Sequence, residues 1–167
     1  MNGFHEINPK QISENMFQLI GDDWYLLTSG DKNGYNTMTA SWGTAGILWG
    51  KPVAVSYVRP QRYTYEFMEK NDCYTLSFFD DAYRPALNFC GSKSGRDYDK
   101  AKETGLTPCF VDGTVCFQEA KLVLVCKKMY SQDLDPSRFL VPEIEKNYAN
   151  RDYHRMYIGE ILKVYSK

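Results

Sequence analysis

Three short segments of the 167-residue chain concentrate groups that could do chemistry. The first runs Asn36-Thr37-Met38-Thr39-Ala40-Ser41-Trp42-Gly43 and sets amide and hydroxyl groups along an extended stretch beside small residues. Donors and acceptors spaced in this way suit the edge of a flat heterocycle carrying several N and O atoms. An ordinary polar strand face has the same composition. The second, Val58-Arg59-Pro60-Gln61-Arg62-Tyr63-Thr64, lies where a strand hands over to a helix. Two guanidiniums, a hydroxyl and the free N–H groups of a helix start converge there and suit a phosphate, through charge-assisted hydrogen bonds and the helix dipole. Two surface arginines in ion pairs are the alternative. The third, Cys90-Gly91-Ser92-Lys93-Ser94-Gly95-Arg96-Asp97, can turn backbone N–H groups and a cation toward an anion. A plain surface loop reads the same way.

Other chemistry has no pattern to rest on. There is no glycine-rich dinucleotide fingerprint after a strand, no P-loop, no GxSxG and no HExxH, so no catalytic residue is assigned. The two histidines, His5 and His154, are far apart and lack neighbours of metal-ligand type, so no metal is expected. Asp22-Asp23 and Asp80-Asp81 sit at strand ends and read as solvated turn residues, not as an acid/base pair. The five cysteines (Cys73, Cys90, Cys109, Cys116, Cys126) are widely spaced and form no CxxC. They are expected as reduced, mostly buried thiols of a cytoplasmic protein, with Cys90 the one to watch beside its glycine-rich loop.

The formal net charge is −1, with 20 Lys+Arg against 21 Asp+Glu, so no basic field draws nucleic acid or an anionic membrane. No secretory h-region opens the chain, and no apolar run reaches the roughly 18 residues of a spanning helix. The thirteen tyrosines fit strands, or stacking surface for a planar ligand.

Short strands are expected over 24–29, 36–42, 52–58, 73–79, 122–126 and 156–165, with Gly159 a bulge or bend in the last. The 52–58 stretch is apolar on both faces, as inside a barrel or sandwich. Helices are expected over 61–70, over 84–90 with a stop at Gly91, and over 97–104 with a stop at Gly105. Many short strands with a few helices between them give a mostly β, antiparallel barrel with helical insertions. A single domain is expected over 1–167, with 1–14 as an N-terminal extension.

In order and spacing the three segments resemble the flavin reductase-like, FMN-binding split-barrel family, particularly its flavoredoxin-like members. The matching pieces are NTMTASWG at 36–43, VRPQRYTYEF at 58–67, ALNFCGSKSGRDYDK at 86–100, GLTP at 105–108 and HRMYIGEI at 154–161. The resemblance implies a six-stranded Greek-key split barrel, dimeric, with one FMN at each subunit boundary. Asn36, Thr37, Met38, Thr39, Ala40, Ser41 and Trp42 would line the isoalloxazine. Arg59, Arg62, Tyr63 and Thr64 would hold the ribityl phosphate. Gly91, Ser92, Ser94 and Gly95 would close over the cofactor or over NAD(P)H, the transient electron donor. The implied activity passes electrons from NAD(P)H to free flavin or another small acceptor. An electron carrier without its own NAD(P)H oxidation, and a non-catalytic flavin-binding barrel, are the alternatives. The apolar Ile47-Leu48-Trp49 would cover a dimer interface or belong to an ordinary core.

Overall fold

The computed structural model describes residues 1–167. Ten strands carry it: β1 His5–Ile7, β2 Tyr25–Asp31, β3 Gly34–Ala40, β4 Gly43–Leu48, β5 Lys51–Val58, β6 Cys73–Phe78, β7 Pro108–Val111, β8 Thr114–Phe117, β9 Leu122–Asp133 and β10 Arg155–Ser166. Three helices intervene, α1 Tyr63–Lys70, α2 Arg84–Ser92 and α3 Lys100–Thr104. One antiparallel sheet runs β3-β2-β6-β9-β10-β5-β4, with β1 added to β10, and β7–β8 form a separate hairpin.

The two edge strands of that path, β3 and β4, share no hydrogen bonds, yet only Ser41 and Trp42 separate them in the chain. Three Cα–Cα steps span at most about 11 Å, so the sheet must curl until its edges almost meet. The result is a barrel closed by the chain and split along the β3/β4 seam. Its path has seven strands where six were expected, and β4 is the strand not anticipated. β4 is short and mostly exposed, and two of its six residues are glycines, so it carries little strand signal.

Alternation sorts the core into two layers. Tyr25, Leu27, Leu76, Leu122, Leu124 and Cys126 fill the barrel with Met38, Ala54, Val58 and Ile161. Leu26, Val123 and Val125 point outward under α2, α3 and the hairpin, against Leu87, Cys90, Ala101, Phe117 and Leu106. Central strands are therefore apolar on both faces. β5 departs from this, because its Val55 and Tyr57 face is only half-buried.

Several expected boundaries move. Trp24 stands outside β2 with φ 66, at the end of a π-helix over Gln18–Asp23. Ser41 and Trp42 leave the sheet after Ala40, and α1 begins at Tyr63 after a turn at Gln61. α2 does not stop at Gly91. It continues through Ser92, and Gly91 serves close approach, since a Cβ there would lie 3.3 Å from the Thr39 Cβ. α3 starts only at Lys100, capped by Asp99, and ends as expected at Gly105 in the left-handed region (φ 70). β9 runs seven residues past Cys126, and β10 carries a register shift at Ile158/Gly159, the bulge anticipated at that glycine. The β7–β8 hairpin was missed, although Asp112-Gly113 between β-branched and aromatic residues is a two-residue turn signal. Within residues 1–14, β1 pairs with Val164–Ser166. None of the five cysteines is in a disulfide.

Candidate functional site

The seam opens into a cavity of about 310 Å³ lined by Met38, Thr39, Ala40, Ser41, Trp42, Tyr57, Arg59, Arg62, Gly91 and His154. A smaller cleft of about 100 Å³ adjoins it, and the two share Met38 and Arg62. That cleft is walled by Tyr63, Thr64, Ser92, Lys93, Ser94, Gly95 and Lys100. The three sequence segments therefore converge, but they divide the work unequally.

Of the first segment, Met38 through Trp42 line the larger cavity, while Asn36 and Thr37 do not. Thr37 turns outward to bond Thr28 (Oγ1–Oγ1 2.8 Å) and the Leu27 carbonyl. Asn36 is buried and donates from Nδ2 to Thr64 Oγ1 at 2.7 Å, so it ties β3 to the start of α1. Gly95 lies against this same Asn36 side chain, and a Cβ there would also come within 3.2 Å of Tyr63. No other residue fits without moving Asn36.

The two arginines part company. Arg59 donates to Asp152 Oδ2 (2.6 Å) and to the Asn147 carbonyl (2.9 Å), and stacks on Tyr148 at 5.1 Å. It lines only the larger cavity, as a neutralised wall. Arg62 has no carboxylate partner; its Nη1 donates to the Gly91 carbonyl at 2.8 Å, and burial followed by repulsion from Arg59 lowers its pKa. Arg62 thus carries unneutralised charge at the junction of the two spaces.

A second such cation was not singled out from the sequence. Lys100 is 6 % exposed, and its Nζ donates to the Thr37 and Cys90 carbonyls, each at 2.8 Å. An ammonium has three donors, so one remains, and no carboxylate lies in reach among the ion pairs. Burial pushes its pKa down to about 8, against the pull of neighbouring Cys90 and with repulsion from Arg62 adding to the fall. A buried, unpaired ammonium is costly, and an anion in the adjoining cleft would offset that cost. Lys100 belongs to the family-like stretch 86–100, yet nothing in its spacing says that this lysine turns inward.

The larger cavity is electrically different. His154, 8 % exposed, meets Tyr148 (Nδ1–Oη 2.9 Å), and its ring lies 5.0 Å from Trp42 and 6.4 Å from Tyr57. Burial, then the Arg59 charge, pushes its pKa down to about 4, so the imidazole is neutral at pH 7. Nε2 makes no hydrogen bond within the chain and is not among the sealed-off polar atoms, so it is open to the cavity. Cys90 is buried beneath Lys100, its thiol pushed up to about 11 by desolvation, and it lines neither space. No cluster of three metal-type side chains occurs.

A cavity walled by Trp42, Tyr57 and His154 that runs into a small cationic cleft suits a flat ring carrying a phosphate tail. Solved structures share the fold. An FMN-binding domain of a flavin reductases-like enzyme from Shewanella baltica aligns with TM-score 0.70 at 18% identity, covering 99% of this chain and 78% of that one. Flavoredoxin from Methanosarcina acetivorans aligns at 0.68 and 21%, covering 87% and 68%. An FMN-binding protein from Thermus thermophilus with bound p-hydroxybenzaldehyde aligns at 0.69 and 16%, covering 86% and 71%. No individual curated sequence matches. The family model for the flavin reductase-like domain matches residues 18–167, and the chain belongs to the flavin reductase-like family.

Proposed function

We propose that this protein holds FMN non-covalently and passes electrons from NAD(P)H through it to free flavin or another small acceptor. The observation that carries the reading is Lys100, a buried ammonium with a spare donor and no carboxylate, facing a cleft continuous with the aromatic cavity. With Arg62, the Thr64 hydroxyl and the Ser92–Gly95 backbone, Lys100 would hold the phosphate. Met38 through Trp42, Tyr57 and His154 would line the ring. Asn36 and Thr37 would act from behind, by fixing Thr64 and carrying the carbonyl that holds Lys100.

Bound FMN supplies the redox chemistry, since flavins accept two electrons as hydride and release them singly or in pairs. The chain's own residues bind and orient. Trp42, 46 % exposed, offers a flat wall at the mouth where a nicotinamide or a planar acceptor could stack. His154, neutral and fixed through Nδ1 by Tyr148, presents Nε2 to whatever enters and adds no charge to the ring site. Small planar carbonyl compounds, of the kind the Thermus thermophilus protein holds as p-hydroxybenzaldehyde, are candidate occupants of the same space. The protein is further proposed to be a homodimer. Ile47, Leu48 and Trp49, weighed above as interface or core, are 65, 37 and 56 % exposed, which removes the core reading and leaves an apolar strip at the end of edge strand β4 and the turn after it.

Stopped-flow mixing of the FMN-loaded protein with NADH and with NADPH tests the turnover. Rapid loss of the oxidised flavin band is the expected result, and no reaction with either donor would reduce the protein to a carrier. Light scattering after size exclusion tests the dimer.

A further inference from the structure

The β7–β8 hairpin lies outside the flavin groove, and its two cysteines have no part in binding there. Asp112 (φ 48) and Gly113 (φ 76) form the turn, and the register pairs Val111 with Thr114, Phe110 with Val115 and Cys109 with Cys116. Residues directly opposed across an antiparallel ladder project to the same face. Counting back from the turn, Cys109 and Cys116 occupy a hydrogen-bonded pair, where Cα atoms lie about 5.5 Å apart. That separation falls in the range of about 4.4–6.8 Å found for disulfides. The thiols also share surroundings. Cys109 Sγ is 3.5 Å from Gln118 Oε1, which accepts from Asn2 N–H, and Cys116 Sγ is 3.9 Å from Met1 Sδ. Both therefore sit under the strip Met1–Asn2.

We propose that Cys109 and Cys116 form a reversible thiol–disulfide site, oxidised by hydrogen peroxide. Cys109 is half-buried and Cys116 fully buried, so peroxide reaches Cys109 first. The Cys109 thiolate attacks the peroxide; an S–O bond forms, the O–O bond breaks, and hydroxide leaves to take a proton as water. The Cys116 sulfur, having given up its proton, attacks the resulting sulfenic acid; the S–S bond forms, the S–O bond breaks, and a second water departs. Two thiols and one peroxide give one disulfide and two waters. Cβ atoms of an opposed strand pair are about 4.5–5.5 Å apart, the closer values belonging to non-hydrogen-bonded pairs. A relaxed disulfide wants about 3.5–4.5 Å. The bridge must pull the hairpin inward and is correspondingly easy to reduce. The hairpin is braced on the barrel by Thr75 Oγ1 donating to the Val115 carbonyl (2.5 Å), and by Tyr35 against Phe110 and Phe117.

The other cysteines provide the contrast. Cys126 is paired with Tyr74, and Cys73 is opposite Lys127, so Cys73 and Cys126 project to opposite faces of their sheet. Cys90 has no cysteine opposite it. The folded, reduced protein is treated with hydrogen peroxide, alkylated and mapped without reduction. The expected product is a Cys109–Cys116 link as the dominant disulfide, reversed by a dithiol. In Cys116→Ser, Cys109 should instead accumulate as sulfenic acid trapped by dimedone, and in Cys109→Ser, Cys116 should stay a thiol. Recovery of all five thiols, or a dominant Cys73–Cys126 link, overturns the proposal. So does direct oxidation of Cys109 to sulfinic acid with no bridge in the parent protein.

Discussion

The two halves of the groove are built on opposite electrostatic plans. In the cleft, Arg62 and Lys100 are both half-buried or more and neither meets a carboxylate, so unbalanced positive charge waits there. Away from Arg62, which both spaces share, the charges of the larger cavity are cancelled or suppressed: Arg59 is paired with Asp152, and His154 is held neutral. An unpaired cation in low dielectric gains much from an anionic ligand, so the cleft is suited to affinity. A neutral aromatic wall leaves the electronics of a bound ring to its hydrogen bonds, so the cavity is suited to selectivity and access. Mutations in the two halves should therefore separate binding from turnover.

The largest effect is expected from Lys100→Met, which keeps the stem and removes the charge. Loss of a buried charge pair with the phosphate should weaken FMN by about 2–5 kcal/mol in a fluorescence-quenching titration. Arg62→Ala follows, at about 1.5–3 kcal/mol for a lost charged hydrogen bond. If either substitution weakens riboflavin by as much as it weakens FMN, the damage is not to a phosphate site.

Lys100 also gives the cleft a pH signature of two opposite signs. Its pKa is about 8 in the folded chain against an ordinary value of 10.5, so from pH 8 upward the unfolded chain binds the extra proton and stability of the apoprotein should rise. FMN affinity should fall over the same range as the ammonium is lost. Cys90, raised by burial to about 11, pulls stability the other way above its ordinary value of 9, so the difference between parent and Lys100→Met isolates the lysine. Chemical denaturation and FMN titration between pH 7 and 9 give both slopes, and parallel slopes would sink the assignment.

The smallest effect on binding is expected in the cavity. His154→Ala should cost FMN no more than about 1 kcal/mol, the worth of a neutral hydrogen bond, while slowing reduction by the nicotinamide donor in stopped flow. Equal losses in both would make His154 a packing residue.

How much of this was legible in the sequence follows the same division. Period-two apolar runs located the central strands, and Gly105 and Gly159 announced a cap and a bulge that do occur. Edge elements were less visible: β4 is exposed and glycine-containing, and β7–β8 are four residues each. The ring-lining stretch Met38–Trp42 and the turn at Arg62–Thr64 were readable because their polar groups are clustered along the chain. Lys100 and His154 were not, because each acts alone from a separate element. Lys100 sits at the start of a five-residue helix that packs inward through Ala101, and only that packing decides that it is buried. His154 precedes β10, which lies between β9 and β5, and reaches the seam only once the sheet curls. Arg59 is the converse case: an ion pair was the alternative weighed for it, but its partner Asp152 is 93 residues away and only the fold brings it near.

The central claim is that the cleft captures a flavin's phosphate while the seam cavity takes its ring. Parallel titration of the flavin-free protein with FMN and with riboflavin tests it most directly. The account predicts that FMN binds tighter by at least about thirtyfold, or about 2 kcal/mol, with riboflavin still bound through the ring cavity. Equal affinities would remove the phosphate cleft from the account, and binding of neither would remove the flavin.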